Sequence, residues 1–243
     1  ILPSVNTDGT IQSIVSVNQA AGMSVVRWTG DGNASATVGH GLSSKPDMVI
    51  VKDFTDAGSW NIANVGLASN EGITLNSSAA AFTSMGNNGG ITYENLTATT
   101  FGFATGAIGV DSVNKNGNVY IAYCFHSVSG FSKFGSYTGV SSGVTITTGF
   151  RPSFIMVKSS SNVENWAVLD TTRGSGKAIN PNLTNAQSDS ALNTFTVSDT
   201  GFSFPDQSIA DAMLNENGYE YIYMAFKENP AQPVIPSGYM EYL

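Results

Sequence analysis

Asn116-Gly117-Asn118-Val119-Tyr120-Ile121-Ala122-Tyr123-Cys124-Phe125 recurs 101 positions later as Asn217-Gly218-Tyr219-Glu220-Tyr221-Ile222-Tyr223-Met224-Ala225-Phe226. Upstream, Pro46, Val51, Lys52 and Trp60 match Pro152, Val157, Lys158 and Trp166 at a spacing of 106. The chain is a tandem duplication, and two units of roughly 100 residues organise it. The shortening from 106 to 101 means that the second copy has lost a net five residues from its middle, where loops absorb deletions.

Both copies read as β structure. Runs rich in Val, Ile, Phe, Tyr and Thr alternate with Gly, Asn, Ser and Asp clusters. Strands are expected at Met23–Thr29, Met48–Asp53, Ser59–Ala63, Thr99–Ala104 and Val119–His126. Their counterparts are Ser132–Thr138, Phe154–Ser159, Asn165–Leu169, Gly201–Phe204 and Tyr219–Lys227. Ser77–Ala81 and Ala186–Leu192 suit no more than a helical turn. The expected fold is all-β, a tandem pair of antiparallel, jelly-roll-like β-sandwich lobes with little helix. The lobes span 22–127 and 128–230, between an upstream linker or stem end (1–21) and a C-terminal extension (231–243).

Strand phase separates two faces. Ile121, Tyr123 and Phe125 correspond to Ile222, Met224 and Phe226, apolar in both copies, and are expected to form the core. Tyr120, Ala122, Cys124 and His126, against Tyr221, Tyr223, Ala225 and Lys227, make a semi-polar, aromatic face expected to lie under a neighbouring lobe or another chain.

Composition excludes several functions. Only 12% of residues are charged, about half the usual ~25%, and Gly, Ser, Thr and Asn carry the polarity. A net charge of −8 with ten Lys plus Arg in no basic cluster argues against nucleic acid. The single cysteine, Cys124, excludes an internal disulfide and a multi-thiolate metal site. No apolar run approaches a membrane span. Because Ile1 is the first residue, the numbering is expected to begin inside a longer or processed polypeptide.

Val25-Val26-Arg27-Trp28-Thr29-Gly30, Thr37-Val38-Gly39-His40-Gly41-Leu42, Lys45-Pro46 and Gly58-Ser59-Trp60 follow one another in the first copy. Gly130-Phe131-Ser132-Lys133-Phe134-Gly135-Ser136-Tyr137-Thr138-Gly139 and Gly149-Phe150-Arg151-Pro152 follow in the second. This series, from about Gly22 to Pro230, resembles a two-copy β domain of bacteriophage tail fibres and related virion structural proteins of the marine-phage type. The resemblance implies a place on a virion, adhesion, and assembly as a homotrimer with other virion proteins. It carries no catalytic motif.

Tempting chemistry dissolves on inspection. Cys124 and His126 share a strand face but lie about 7 Å apart along the pleat, too far for a thiol and its base. His40 in Gly39-His40-Gly41 suits a turn, and two histidines are too few for a histidine-based zinc centre. Arg173-Gly174-Ser175-Gly176-Lys177 fails the phosphate-loop pattern, with Thr171 where a glycine belongs and Ala178 where a hydroxyl does. Asp31–Asn33 and Asp53–Asp56 lack the ligand density of a calcium site. Trp60 and Trp166, like Trp28 and Tyr137, occupy matched positions and suit packing. Asn33, Asn76, Asn95 and Asn182 begin Asn-x-Ser/Thr triplets, expected by coincidence in a chain this rich in those residues.

No catalytic, cofactor or metal site is therefore expected. Binding is expected in the loops of Ala68–Thr97 and Arg173–Asn193, where the copies diverge, with Asn70, Asn76, Asn87, Asn88, Asn95, Arg173, Asn182 and Asn185 as candidates. The leading expectation is a non-enzymatic tail-fibre module that holds a host-surface saccharide or protein. An architectural head-decoration or cement subunit is the alternative, and a surface-polysaccharide hydrolase, its carboxylates assembled from distant strands, is third.

Overall fold

The computed structural model describes residues 2–83, 89–105 and 109–227. The first lobe contains β1 (Ser4–Asn6), β2 (Ser13–Asn18), β3 (Met23–Thr29), β4 (Thr37–Gly39), β5 (Met48–Asp53), β6 (Asn61–Asn64), β7 (Glu71–Thr74), β8 (Phe82–Thr83), β9 (Thr100–Gly102) and β10 (Val119–Phe125). The second contains β11 (Ser132–Thr138), β12 (Val144–Thr147), β13 (Pro152–Ser159), β14 (Ala167–Asp170), β15 (Lys177–Ala178), β16 (Ser188–Asp189), β17 (Thr196–Ser198), β18 (Gly201–Phe204) and β19 (Glu220–Lys227). Among the described residues the α-helix is one turn, Asp111–Asn114, beside three short 3₁₀ turns.

The main sheet of the first lobe runs β1-β2-β3-β10-β5-β6-β7-β8, and that of the second β11-β19-β13-β14. Each is faced by a smaller sheet, β4-β9 in one lobe and β12-β18-β17 in the other. Among the described residues the named strands pair antiparallel, with one isolated parallel bridge from Ile11 to Val38, so the fold is an all-β, sandwich-type pair. The 106-residue spacing persists to β8 and β16, and the 101-residue spacing starts at β9 and β18. The five-residue difference thus falls between these strands. Residues 4–6 and 13–18, expected in a linker, instead form β1 and β2, because Ile14–Asn18 pair with Met23–Arg27 and widen the sheet. Residues 231–243, expected as an extension, lie outside the described residues.

Strand phase is the main correction. Tyr120, Ala122 and Cys124 are fully buried in the first lobe's own core with Trp28, Phe101 and Val26. Tyr221, Tyr223 and Ala225 lie likewise in the second core with Tyr137, Phe202 and Phe204. The face expected to be core instead builds a third cluster, which joins Met48, Ile50, Ile62, Ile73 and Phe125 of one lobe to Phe134, Met156, Trp166, Ile222 and Met224 of the other. Alternation misleads here because β10 and β19 are covered on both sides. The aromatic tyrosine faces are satisfied inside the chain, so they supply no argument for a trimer.

The tyrosines enter the cores because the backbone satisfies their hydroxyls. Tyr120 Oη accepts from Lys115 N at 2.9 Å and donates to Asp111 O at 3.0 Å. Tyr221 Oη makes the matching bonds to Glu216 N, 2.9 Å, and Ala212 O, 2.5 Å. Tyr120 stacks on Trp28, and Tyr221 stacks on Tyr137 with centroids 4.8 Å apart. Asn114 and Asn215, also 101 apart and wholly buried, each accept through Oδ1 from the backbone N–H that follows β3 or β11, that of Asp31 or Val140. Lys52 and Lys158 each donate to the carbonyls one and four residues on.

Candidate functional site: the seam between the lobes

Hydrogen bonds cross the seam among the described residues. Trp166 Nε1 donates to Thr74 O at 3.0 Å, Ala81 N to Ser160 O at 2.7 Å, and Glu164 N to Ser78 O at 3.0 Å. The turn after β6 presses on β11 so closely that a Cβ on Gly66 would lie 2.7 Å from that of Ser136. Beside this contact opens a cleft of about 300 Å³ lined by Gly66, Leu67, Ala68 and Glu71 from one lobe and Ser160, Ser161 and Glu220 from the other. Its polar groups are held in place. Glu71 Oε2 accepts from Ala68 N, Ser161 Oγ from Glu220 N at 2.9 Å, and the Glu220 carboxylate from the Thr138 hydroxyl at 2.9 Å. The carboxylates of Glu71 and Glu220 and the hydroxyls of Ser160 and Ser161 thus line one concavity, a set suited to the hydroxyls of a polar, uncharged ligand.

The sequence-predicted residues do not converge in this way. Asn70 is exposed on the turn beside Ala68 and Glu71, nearest of them to the cleft. Asn76 and Asn182 are 106 apart, and each Oδ1 accepts from the backbone N–H of its matched tryptophan, Trp60 at 2.9 Å and Trp166 at 3.0 Å. Both are structural pins. Asn95 is half-buried in a 3₁₀ turn and accepts from the Thr92 hydroxyl at 2.5 Å. Arg173 clamps its own hairpin, with Nε on Asp170 Oδ2 at 2.5 Å and Nη2 on Val168 O at 2.9 Å. Burial alone would raise the Asp170 carboxyl, but the amide and guanidinium of Arg173 outweigh it and hold its pKa below the usual range. Asn185 is exposed on a different lobe surface, and Asn87 and Asn88 lie outside the described residues.

A second concavity of about 220 Å³ touches the loop of 173–193 at Gly174 and Ser175, with Arg151, Thr171, Phe195 and Val197 as its other walls. Ser175 Oγ accepts from Phe195 N at 2.9 Å, and Arg151 donates to Val197 O at 3.3 Å.

The other residues weighed from sequence are structural. Burial pushes the Cys124 thiol up to about 12, with a smaller opposing effect from Ser24, so it is no nucleophile at neutral pH. His40 is buried, and its Nδ1 accepts from Leu42 N at 3.1 Å, which fixes the turn. Burial lowers its pKa against the pull of the Thr97 carbonyl. In Asp31–Asn33 and Asp53–Asp56 the carboxylates accept from nearby backbone amides and from Asn114 and Asn118. Among the described residues no three His, Cys, Asp or Glu are grouped to hold a metal, and no helix is long and apolar enough to cross a membrane.

Of the cleft, sequence reading reached only Ala68 and Glu71, inside the expected loop Ala68–Thr97, because the walls come from three separated stretches that only lobe docking unites. A search of curated proteins and a search of solved structures found no match. The family model described as a domain of unknown function (DUF7483) matches residues 2–230, nearly the whole chain, and the protein belongs to that family.

Proposed function

We propose that this chain is a non-enzymatic virion module, part of a phage tail fibre, that adheres to a host-surface saccharide through the cleft between its lobes. The observation that carries the reading is the convergence of Glu71, Ser160, Ser161 and Glu220 on that cleft. Bonds across the seam hold both walls, so little ordering opposes binding. Weak binding at one site is amplified by many copies on one particle. The placement on a virion rests on the resemblance of Gly130–Gly139 and its companion segments to fibre domains.

An architectural role is the second reading, favoured by exposed apolar side chains such as Ile14 on the first main sheet and Ile179 bridged to the edge of the second. Labelled antibody against the chain, applied to intact particles, separates the two. The fibre reading expects label at the tail tip and loss of adsorption, whereas label spread over the head supports the architectural role. Release of reducing ends from host polysaccharide by the purified chain would overturn the non-enzymatic reading and make Glu71 and Glu220 candidates for a hydrolase pair.

A further inference from the structure

The lobes dock off-centre. A row across the outer face of the first main sheet runs Val25, Tyr123, Ile50, Ile62, Ile73. Burial deepens along it, from half-buried Val25 and Tyr123 to Ile50 at 8% exposure and Ile62 and Ile73 at 0%. The matched row of the second lobe, Phe134, Met224, Met156, Val168, Ile179, runs the other way. Phe134 is 2% exposed, Val168 is half-buried and Ile179 is 40% exposed. The turns agree: Gly66 presses on β11, while its counterpart Thr172 is exposed.

The first lobe therefore contributes chiefly its β5-β7 half, with Phe125 of β10, and the second chiefly β11, β19 and β13, with Trp166 ahead of β14. Such a contact is heterologous, with two different surfaces in use, and it does not satisfy itself. Less covered are the β3-β10 half of the first lobe, with half-buried Val25 and Ile121 and the exposed Ile14 on β2, and the far edge of the second, with exposed Ile179 beside Val168, which is half-buried against the seam cluster. By the duplication these are counterparts of the two halves already packed. Val25 and Ile121 match Phe134 and Ile222, and Val168 and Ile179 match Ile62 and Ile73.

We propose that these two less covered surfaces pack on each other between copies of this chain, the second lobe of one copy against the first lobe of the next, along the same rows as the internal contact but without its closest approach, since Thr172 stands where Gly66 does. The partner is a second copy because the chain already contains one contact between these rows, and because the new contact continues the same rows of side chains. Repetition closes into a ring or runs on as an open array, according to the rotation at each step. Closure after three copies would give a trimer. The inference stands independently of saccharide binding.

Two variants of the full chain test it, Val25→Lys and Ile179→Lys, with Ile14→Lys as a further variant at an exposed position of the first surface. Light scattering should give wild-type protein a mass that grows with concentration and each single variant the mass of one chain. A mixture of the Val25 and Ile179 variants keeps one intact half of each kind, so it should form dimers that go no further. Unchanged thermal unfolding of each variant confirms its fold. A wild-type chain that stays single at high concentration, folded variants that assemble like wild type, or a mixture that stays single would each overturn the proposal.

Discussion

Trp166 reaches across the seam to the carbonyl of Thr74, with Nε1 and O 3.0 Å apart and both groups buried. Its ring lies in the cluster formed by Met48, Ile62 and Ile73 of one lobe and Met156 and Met224 of the other. That continuous core couples the lobes, so the chain should unfold in urea as one transition. Trp166→Phe keeps most of the packing but strands a buried carbonyl, at an expected cost of about 1–3 kcal/mol. Trp166→Ala should cost about 3–5 kcal/mol. Two resolved transitions in the wild type would contradict the coupling.

Tyr120→Phe and Tyr221→Phe should have matching effects. Each removes a hydroxyl that satisfies one backbone amide and one carbonyl near the end of a core strand. An expected loss of about 1–3 kcal/mol each, read from denaturant midpoints, checks the equivalence. A large loss in one lobe with none in the other would break it.

Gly30 and Gly139 close the strands that precede these corners. A Cβ on Gly30 would meet Lys115 O at 2.3 Å, and one on Gly139 would meet Glu216 O at 2.0 Å. Both obstacles are backbone. Gly30→Ala and Gly139→Ala should each destabilise by roughly 1–3 kcal/mol, and unchanged melting temperatures would show that the approach is looser than described.

Alkaline stability has two opposing contributions. Burial lowers the Lys158 pKa from 10.5 to about 8, with Glu164 opposing, so between these values the unfolded chain binds the extra proton. Its contribution therefore rises with pH across that window. Burial, chiefly, raises the Tyr120 and Tyr221 phenols above their usual 10.0, so the stability they contribute is present below that pH and is lost above it. Denaturant midpoints should thus fall above pH 10, with tyrosinate absorbance from these two residues appearing only on unfolding. Lys158→Met should remove the earlier rise, and a midpoint with the same pH profile in both proteins would contradict the assignment.

Sequence alone revealed the duplication, the all-β class and most of the central strands, because Val26, Val51 and Phe202 are set among turn residues at regular intervals. It misjudged which face of β10 belongs to which core. Tyr120 and Tyr221 look semi-polar until their hydroxyls are seen bonded to backbone, and both faces of these strands are covered. The pinning role of Asn76 and Asn182 had a legible signal, since they share the 106-residue spacing of Trp60 and Trp166. The cleft as a whole had none. Glu71 and Glu220 become neighbours only through the docking of lobes, which no local pattern encodes.

Competition for phage adsorption tests the proposed function most directly. Purified wild-type chain, added to host cells before phage, should reduce adsorption, and a chain with Ser161→Lys and Glu71→Lys in the cleft should fold normally and fail to compete. Wild-type protein that neither binds the cells nor slows adsorption, or a cleft variant that competes as well as wild type, would contradict the account.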